Sequence, residues 1–440
     1  MSTLRVSPQT KPLRGRIFVP GDKSISHRAI LLGALAGGVS HIRNWLPAGD
    51  TLATLEVARA LGVPIEVDQK ETWAWDLRIE GQGLNGLKVP LNPLNCKNAG
   101  TAMRLLAGIM AGQSFPSIID GSEQLRKRPM RRIIDPLVLM GAQIAGHNGR
   151  APLQITPAAL HGITYEMPVA SAQVKSAILL AGLYAAGETR VYQPGPARDH
   201  TERMLAAMGV PLQSDGSWIT LPAQRIASLK PLDLTVPGDI SSAAFPLVAA
   251  AIVPHSEITL VNVGANDTRT GLLEMLRAMG AQFSIQNERE TGGEPAVDLH
   301  VHFDELHAAD IHGEDVVRGI DEFPILAVAM TQAAGISTVS DAAELRVKEV
   351  DRIGVLAGEL RKMAVPVDEK ADGFSVHGPL HLQGAQVDSH DDHRLAMSLA
   401  VAGLVAQSPT TIINAQCAHD SFPGFVEAMQ ALGANMVWEE

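Results

Sequence analysis

A chain of 440 residues with 46% hydrophobic and 19% charged side chains has a globular composition and the length for two or three domains. Lys and Arg number 36 against 47 Asp and Glu, a net charge of −11 that repels nucleic acid and anionic membranes unless the basic groups are gathered locally. With 4% aromatic residues there is little material for stacking on bases, and the two cysteines, Cys96 and Cys417, match no zinc or redox spacing and suit a reducing, cytoplasmic setting.

Residues 1–11 are polar and show no targeting pattern. After Pro20-Gly21 the chain repeats itself six times. A polar head opens an Ala-rich run that is apolar all round and so predicts a buried helix; the heads are Lys23-Ser24, Asn98–Thr101, Ser171-Ala172-Gln173, Asp239–Ser242, Asp321-Glu322 and Asp391–Arg394. Interleaved with these, an amphipathic helix ends in a hydrophobic–Gly–small triplet and runs into a strand. The triplets are Leu61-Gly62-Val63, Met140-Gly141-Ala142, Met208-Gly209-Val210, Met279-Gly280-Ala281 and Leu432-Gly433-Ala434, with Met363-Ala364-Val365 as a degenerate copy. The Gly falls where a helix C-terminus wants a left-handed residue, and the alternation after it (Pro64 to Val67, Gln282 to Ile285) reads as a half-buried strand. The uncharged stretch from Leu395 to Ala418 has an apolar part of only 12 residues, too short to cross ~30 Å of hydrocarbon, and predicts a buried helix followed by a strand.

Six units divide most economically as three plus three. The expected domains are 22–236, and 1–21 with 237–440, hinged at Pro20-Gly21 and Pro237-Gly238. The fold class is α/β (α+β): two similar domains, each with buried parallel helices and mixed strands.

Buried helices present free N–H groups and partial positive charge at their N-termini, a ready site for phosphate and carboxylate. Ser, Thr, Asp and Asn at such heads are explained by capping, but Lys23, Arg28, Arg104 and Arg394 oppose the dipole and call for an anion. Ser24 and Arg28 share a helix face, as do Gly100 and Arg104. Residues 126–132 carry five basic groups in seven, and Lys348 and Arg352 are expected on one face at the start of the fifth amphipathic helix, with Glu349 alongside. Gly81–Gly86 matches G-x-G-x-x-G, but Pro90 and Pro93 follow where a dinucleotide fold needs a helix. His390-Asp391-Asp392-His393 has metal-capable side chains at a position that favours capping instead.

The stretches Pro20–Arg28, Asn98–Arg104, Lys127–Met130, Leu345–Arg352 and Asp392–Arg394 resemble, in the right order, the motifs of the 5-enolpyruvylshikimate-3-phosphate synthases. The resemblance runs from about residue 4 to the C-terminus. It implies two domains of three βαβαββ units joined by a two-stranded hinge, with the active site in the cleft between them. It implies transfer of the enolpyruvyl group of phosphoenolpyruvate to the 5-hydroxyl of shikimate 3-phosphate with release of phosphate, in the shikimate pathway to chorismate and the aromatic amino acids. No metal or organic cofactor is implied; the partners are the two small substrates, with no nucleic acid or membrane, and the chain is read as a cytoplasmic monomer.

By the same resemblance Lys23 touches both substrates, and Ser24, Arg28, Ser171, Ala172, Gln173, Arg198, Asp321 and Lys348 hold shikimate 3-phosphate. Gly100, Arg128, Gln173, Arg352 and Arg394 hold phosphoenolpyruvate, and Asp321, Glu349 and Lys23 are the catalytic set. Ala172 stands where many members have a second Ser, Arg198 where many have a Ser on the substrate phosphate, and Glu344 where an Asn is usual; no ligand role is carried to 344 or 417–423. Together with Ser171–Ser176 these departures look like the second bacterial class. Arg352 and Arg394 suit bidentate grip of phosphate or carboxylate, while the carboxylates supply and receive protons. The family is the target of glyphosate, which fills the phosphoenolpyruvate pocket, and this chain keeps Gly100 there, although Leu105 replaces a common Pro. The alternative is the related enolpyruvyl transferase acting on UDP-N-acetylglucosamine, which usually has a Cys in the loop corresponding to 123–129; this chain has none there.

Overall fold

A computed structural model describes residues 3–223 and 226–439, which form six four-stranded sheets with helices between them. The chain divides into two compact units. The first comprises Gly21–Val236 and Glu290–Glu294; the second comprises the residues up to Pro20, Pro237–Arg289 and the stretch from Pro295 onward.

In the first unit, the sheets follow one plan: a short edge strand runs parallel to its neighbour, and two antiparallel pairings follow. Leu94–Asn95 lies parallel to Ser117–Asp120, which pairs antiparallel with Arg150–Thr156, with Gln143–His147 outside. Thr164–Glu166, Thr189–Tyr192, Trp218–Leu221 and Gln213–Asp215 repeat that order. The remaining sheet, Val39–Trp45 with Ala74–Glu80 and Ile65–Glu71, takes its parallel edge from Asp233–Thr235, some 190 residues away along the chain.

The second unit uses the same plan in Asp310–Ile311, Gly335–Val339, Gly373–Gly378 and Val367–Lys370. It completes its other two sheets with the N-terminal strands. Arg14–Phe18 is the parallel edge beside Glu257–Gly264, and Thr3–Val6 sits between Thr410–Ile413 and Met436–Glu439.

Each unit has its own core, built around three helices that are apolar on every side. These are Lys23–Leu35, Gly100–Ala111 and Ala172–Gly182 in the first unit, and Ile240–Ile252, Phe323–Thr331 and His393–Leu404 in the second. All residues of Ile240–Ile252 are buried, so this helix has no polar face to present to water. Among the described residues no helix is long and apolar enough to cross a membrane.

The triplet glycines all take the left-handed conformation their place predicts, with φ from +82° at Gly62 to +93° at Gly141 and Gly433. The degenerate copy keeps the same geometry without glycine: Ala364 has φ +62°. The two Pro-Gly pairs have a packing reason. A Cβ at Gly21 would lie 2.1 Å from the Asn44 carbonyl oxygen, and one at Gly238 would lie 2.6 Å from Val19 Cγ2. Each pair leads into an Asp that caps a buried helix, Asp22 accepting from Ile25 N and Asp239 from Ser241 N.

Candidate active site

In the first unit the expected residues gather at the heads of three buried helices. Lys23 opens Lys23–Leu35, with its Nζ 3.7 Å from Asp50 Oδ2. One turn on, Arg28 is 3% exposed; its guanidinium donates to the Ser24 carbonyl (3.0 Å), to Ser176 Oγ (3.1 Å) and to Thr201 Oγ1 (2.7 Å). These direct partners are neutral oxygens. Burial pulls its pKa down to about 10, against Glu202, Asp22 and Glu294, with Arg198 adding to the fall. Arg198 itself stands just before His200–Ala207, in the loop that follows Thr189–Tyr192.

Gly100 begins the second helix, and that helix has no side-chain cap. A Cβ at Gly100 would sit 3.1 Å from Arg128 Nη1 and 3.3 Å from Arg104 Nη1, so two guanidinium groups approach the uncapped helix start. In the sequence Arg104 stands out only as a cation at a helix head. The structure buries it, with its Nη1 donating to Gln173 Oε1 and its Nε without a hydrogen-bond partner among the described residues. Burial lowers its pKa to about 10, and the charges of Arg132 and Arg128 lower it further. Gln173 Nε2 donates to Thr101 Oγ1 at 2.9 Å, which ties the Ala172–Gly182 helix to the Gly100 helix. Ser171 caps its own helix through Val174 N, and Ala172 offers only backbone. The basic run around Arg128 is not uniform, since Arg126 is spent on Asp120 at 2.8 Å.

In the second unit the centre is Asp321, just ahead of Phe323–Thr331. Lys348 Nζ and Arg352 Nη1 each lie 3.5 Å from its Oδ1, and Arg394 Nη2 lies 3.8 Å from its Oδ2. Arg352 also meets Asp392 Oδ2 (2.8 Å) and Glu349 Oε2 (2.7 Å). Burial works against the Arg352 charge, but Asp392, Glu349 and Asp321 outweigh it and raise its pKa. Arg394 lies 3.5 Å from Glu322 Oε1, an oxygen that also accepts from Ser241.

One local expectation is corrected. Lys348 and Arg352 do not share a face of one helix: Ala343–Val347 is a 3₁₀ turn, the chain is irregular from Lys348 to Asp351, and the α-helix starts at Arg352, capped by Asp351. Both cations still reach the same carboxylate oxygen. In the His390–His393 stretch, Asp392 caps His393–Leu404 through Arg394 N (2.9 Å) and His390 pairs with Glu359 at 2.9 Å. Glu344 is exposed, 3.9 Å from Lys348, and residues 415–420 form a 3₁₀ turn. Burial pushes the thiols of Cys96 and Cys417 up to about 12.

Two units of three mixed sheets, each with buried cations beside the heads of buried helices, define an α/β protein equipped to hold small polyanions. A family model described as EPSP synthase (3-phosphoshikimate 1-carboxyvinyltransferase) matches residues 8–429. The chain is 49% identical over 434 residues to the 3-phosphoshikimate 1-carboxyvinyltransferase of Geobacter sp. (strain M21), covering 98% of this chain and 99% of that protein. It is 50% identical to that of Acidithiobacillus ferrooxidans (strain ATCC 53993 / BNL-5-31) over 433 residues, 98% of each. A solved EPSP synthase from Acinetobacter baumannii superimposes with a TM-score of 0.92 at 43% identity over all of both chains. The chain belongs to the EPSP synthase family.

Proposed function

We propose that this chain transfers the enolpyruvyl group of phosphoenolpyruvate to the 5-hydroxyl of shikimate 3-phosphate and releases phosphate, as a 3-phosphoshikimate 1-carboxyvinyltransferase of the shikimate pathway. The observation that carries this is the full-length match at about half identity with all the cationic motifs present. The two sets of residues, one in each unit, serve a single reaction, and the units are its two functional halves. Lys23, Ser24, Arg28, Ser171, Ala172, Gln173, Arg198, Asp321 and Lys348 hold the phosphoshikimate. Lys23, Gly100, Arg128, Gln173, Arg352 and Arg394 hold phosphoenolpyruvate, with Arg104 bracing Gln173.

The chemistry is addition followed by elimination. The 5-hydroxyl oxygen bonds to C2 of phosphoenolpyruvate and gives up its proton, while the methylene carbon gains one. Loss of that carbon-bound proton then expels phosphate and restores the double bond. Asp321 and Glu349 are the carboxylates for these transfers, each within reach of Arg352. Arg352 orients both and offsets the negative charge that builds on the substrate.

Ala172 and Arg198, within Ser171–Ser176 and Arg198–Thr201, support a place in the second bacterial class of the family. The two buried thiols fit a cytoplasmic enzyme, and the enzyme acts as a monomer. The test is to mix the protein with shikimate 3-phosphate and phosphoenolpyruvate and follow phosphate. Release that requires both substrates is expected. Release from phosphoenolpyruvate with UDP-N-acetylglucosamine, and none with shikimate 3-phosphate, overturns the assignment.

A further inference from the structure

One buried charge in the first unit has no place in the roles above. Lys175, on Ala172–Gly182, is 1% exposed, and its Nζ lies 2.7 Å from Gln193 Oε1 and 2.5 Å from Glu202 Oε1. Those partners stand at the two ends of one loop. Gln193 directly follows the strand Thr189–Tyr192, and Glu202 lies in the first turn of the helix His200–Ala207. Between them run Pro194, Gly195, Pro196, Ala197, Arg198 and Asp199.

The neighbouring residues show what the far end of that loop is set against. Ser176, next to Lys175, meets Thr201 Oγ1 at 2.7 Å, and Arg28 donates to both hydroxyls. The first turn after the loop is thereby registered to Arg28 through Thr201 and to the Ala172–Gly182 helix through Glu202. A lysine buried to this degree costs desolvation that a methionine of similar length would not. The pair is also not arranged for stability alone, since Glu202 Oε2 is buried with no hydrogen-bond partner among the described residues.

We propose that Lys175 is a positioning residue: it pins both ends of loop 193–199 and so sets Arg198 beside Arg28 to receive the phosphate of the sugar-acid substrate. This rests on the reading of Arg28 and Arg198 as phosphoshikimate ligands. Lys175 touches no reacting atom and acts through the loop.

The experiment uses full-length Lys175→Met/Glu202→Gln, which removes the cation together with the carboxylate it would leave unpaired. Shikimate 3-phosphate binding is measured by calorimetry without phosphoenolpyruvate, along with both KM values and thermal unfolding. Taking away Glu202, a negative charge near Arg28, would by itself strengthen anion binding, so a loss cannot be blamed on its removal. The expected result is a Kd and KM for shikimate 3-phosphate raised roughly tenfold, a change several times larger than that in the KM for phosphoenolpyruvate. Adding Arg198→Ala to this pair should cost little more than Arg198→Ala alone, because one interaction has been removed by two routes.

Gln193→Ala keeps the ion pair and cuts one tether, and should raise the same KM about threefold. It answers the question even if the double variant does not fold. A folded double variant with unchanged shikimate 3-phosphate binding, an additive loss with Arg198→Ala, or no effect of Gln193→Ala overturns the proposal. Wild-type protein that neither binds shikimate 3-phosphate nor releases phosphate instead overturns the functional reading beneath it.

Discussion

Arg352 and Arg394 lie close together on Asp321, yet their removal should have different consequences. Arg352 is the partner of Asp392, a carboxylate with no exposure at all. Arg352→Ala strands that charge and should cost ~3–5 kcal/mol of stability, read in urea denaturation, in addition to abolishing activity. Arg394 has weaker ties, 3.5 Å to Glu322 and 3.8 Å to Asp321. Arg394→Ala should leave the unfolding curve closer to wild type while raising the KM for phosphoenolpyruvate, with a loss of ~2–5 kcal/mol in binding. Gly100 is a second discriminating position. A methyl group there must displace the Arg128 guanidinium by a few tenths of an ångström. On the proposal that Gly100 lines the phosphoenolpyruvate pocket, crowding of ~1–3 kcal/mol should fall harder on glyphosate, the longer anion, than on phosphoenolpyruvate. Gly100→Ala should therefore raise the glyphosate inhibition constant about tenfold or more, and the phosphoenolpyruvate KM by much less, in competitive inhibition assays.

At the level of single elements, the helix ends offer a controlled comparison within one molecule. Five ends close on a left-handed glycine and the sixth on Ala364, exposed and at φ +62°. A left-handed alanine costs ~1–2 kcal/mol, part of which is returned because glycine is freer in the unfolded chain. Ala364→Gly should stabilise the second unit by ~0.5–1 kcal/mol, visible as a higher denaturant midpoint with unchanged slope. These ends are legible in the sequence because a Gly after a helical pattern is a local signal, and the degenerate copy is legible through its spacing.

The start of the helix at Arg352 is not legible in the sequence, because a 3₁₀ turn and a capping Asp351 look, in composition, like one more helical turn. The cations at the helix heads were readable, since a Lys or Arg there opposes the dipole. Their partners were not: Arg104 meets Gln173 across 69 residues and Arg28 meets Thr201 across 173. The same holds for the sheet edges, where Asp233–Thr235 pairs with His41–Arg43 and Thr3 with Glu439. Short-range pattern fixes which segments are strands, but only the closing of the unit fixes which edges meet.

For the molecule as a whole, acid stability has an identifiable contributor. His27 is buried beside the Lys23 and Arg28 charges, with its Nδ1 2.7 Å from Thr54 Oγ1. Burial pushes its pKa down to about 4; Asp50 opposes this, and Lys23 and Arg28 add to it. The unfolded chain takes up this proton near pH 6.5, so between there and pH 4 the unfolded state binds more protons than the folded one. Stability should thus fall as the pH drops through that window, by about 3 kcal/mol from this residue. His27→Asn, which keeps a polar group toward Thr54, should flatten that part of the pH–stability curve.

The two buried cysteines bear on how the protein can be handled at the bench. With pKa values raised to about 12, on the order of one thiol in 10⁵ is thiolate at pH 7. Maleimide and iodoacetamide reagents should pass over Cys96 and Cys417 while labelling any cysteine placed on the surface. A pair of fluorophores or spin labels, one on each unit, can then be installed in an otherwise native sequence, and the separation of the two units followed in solution as each substrate is added.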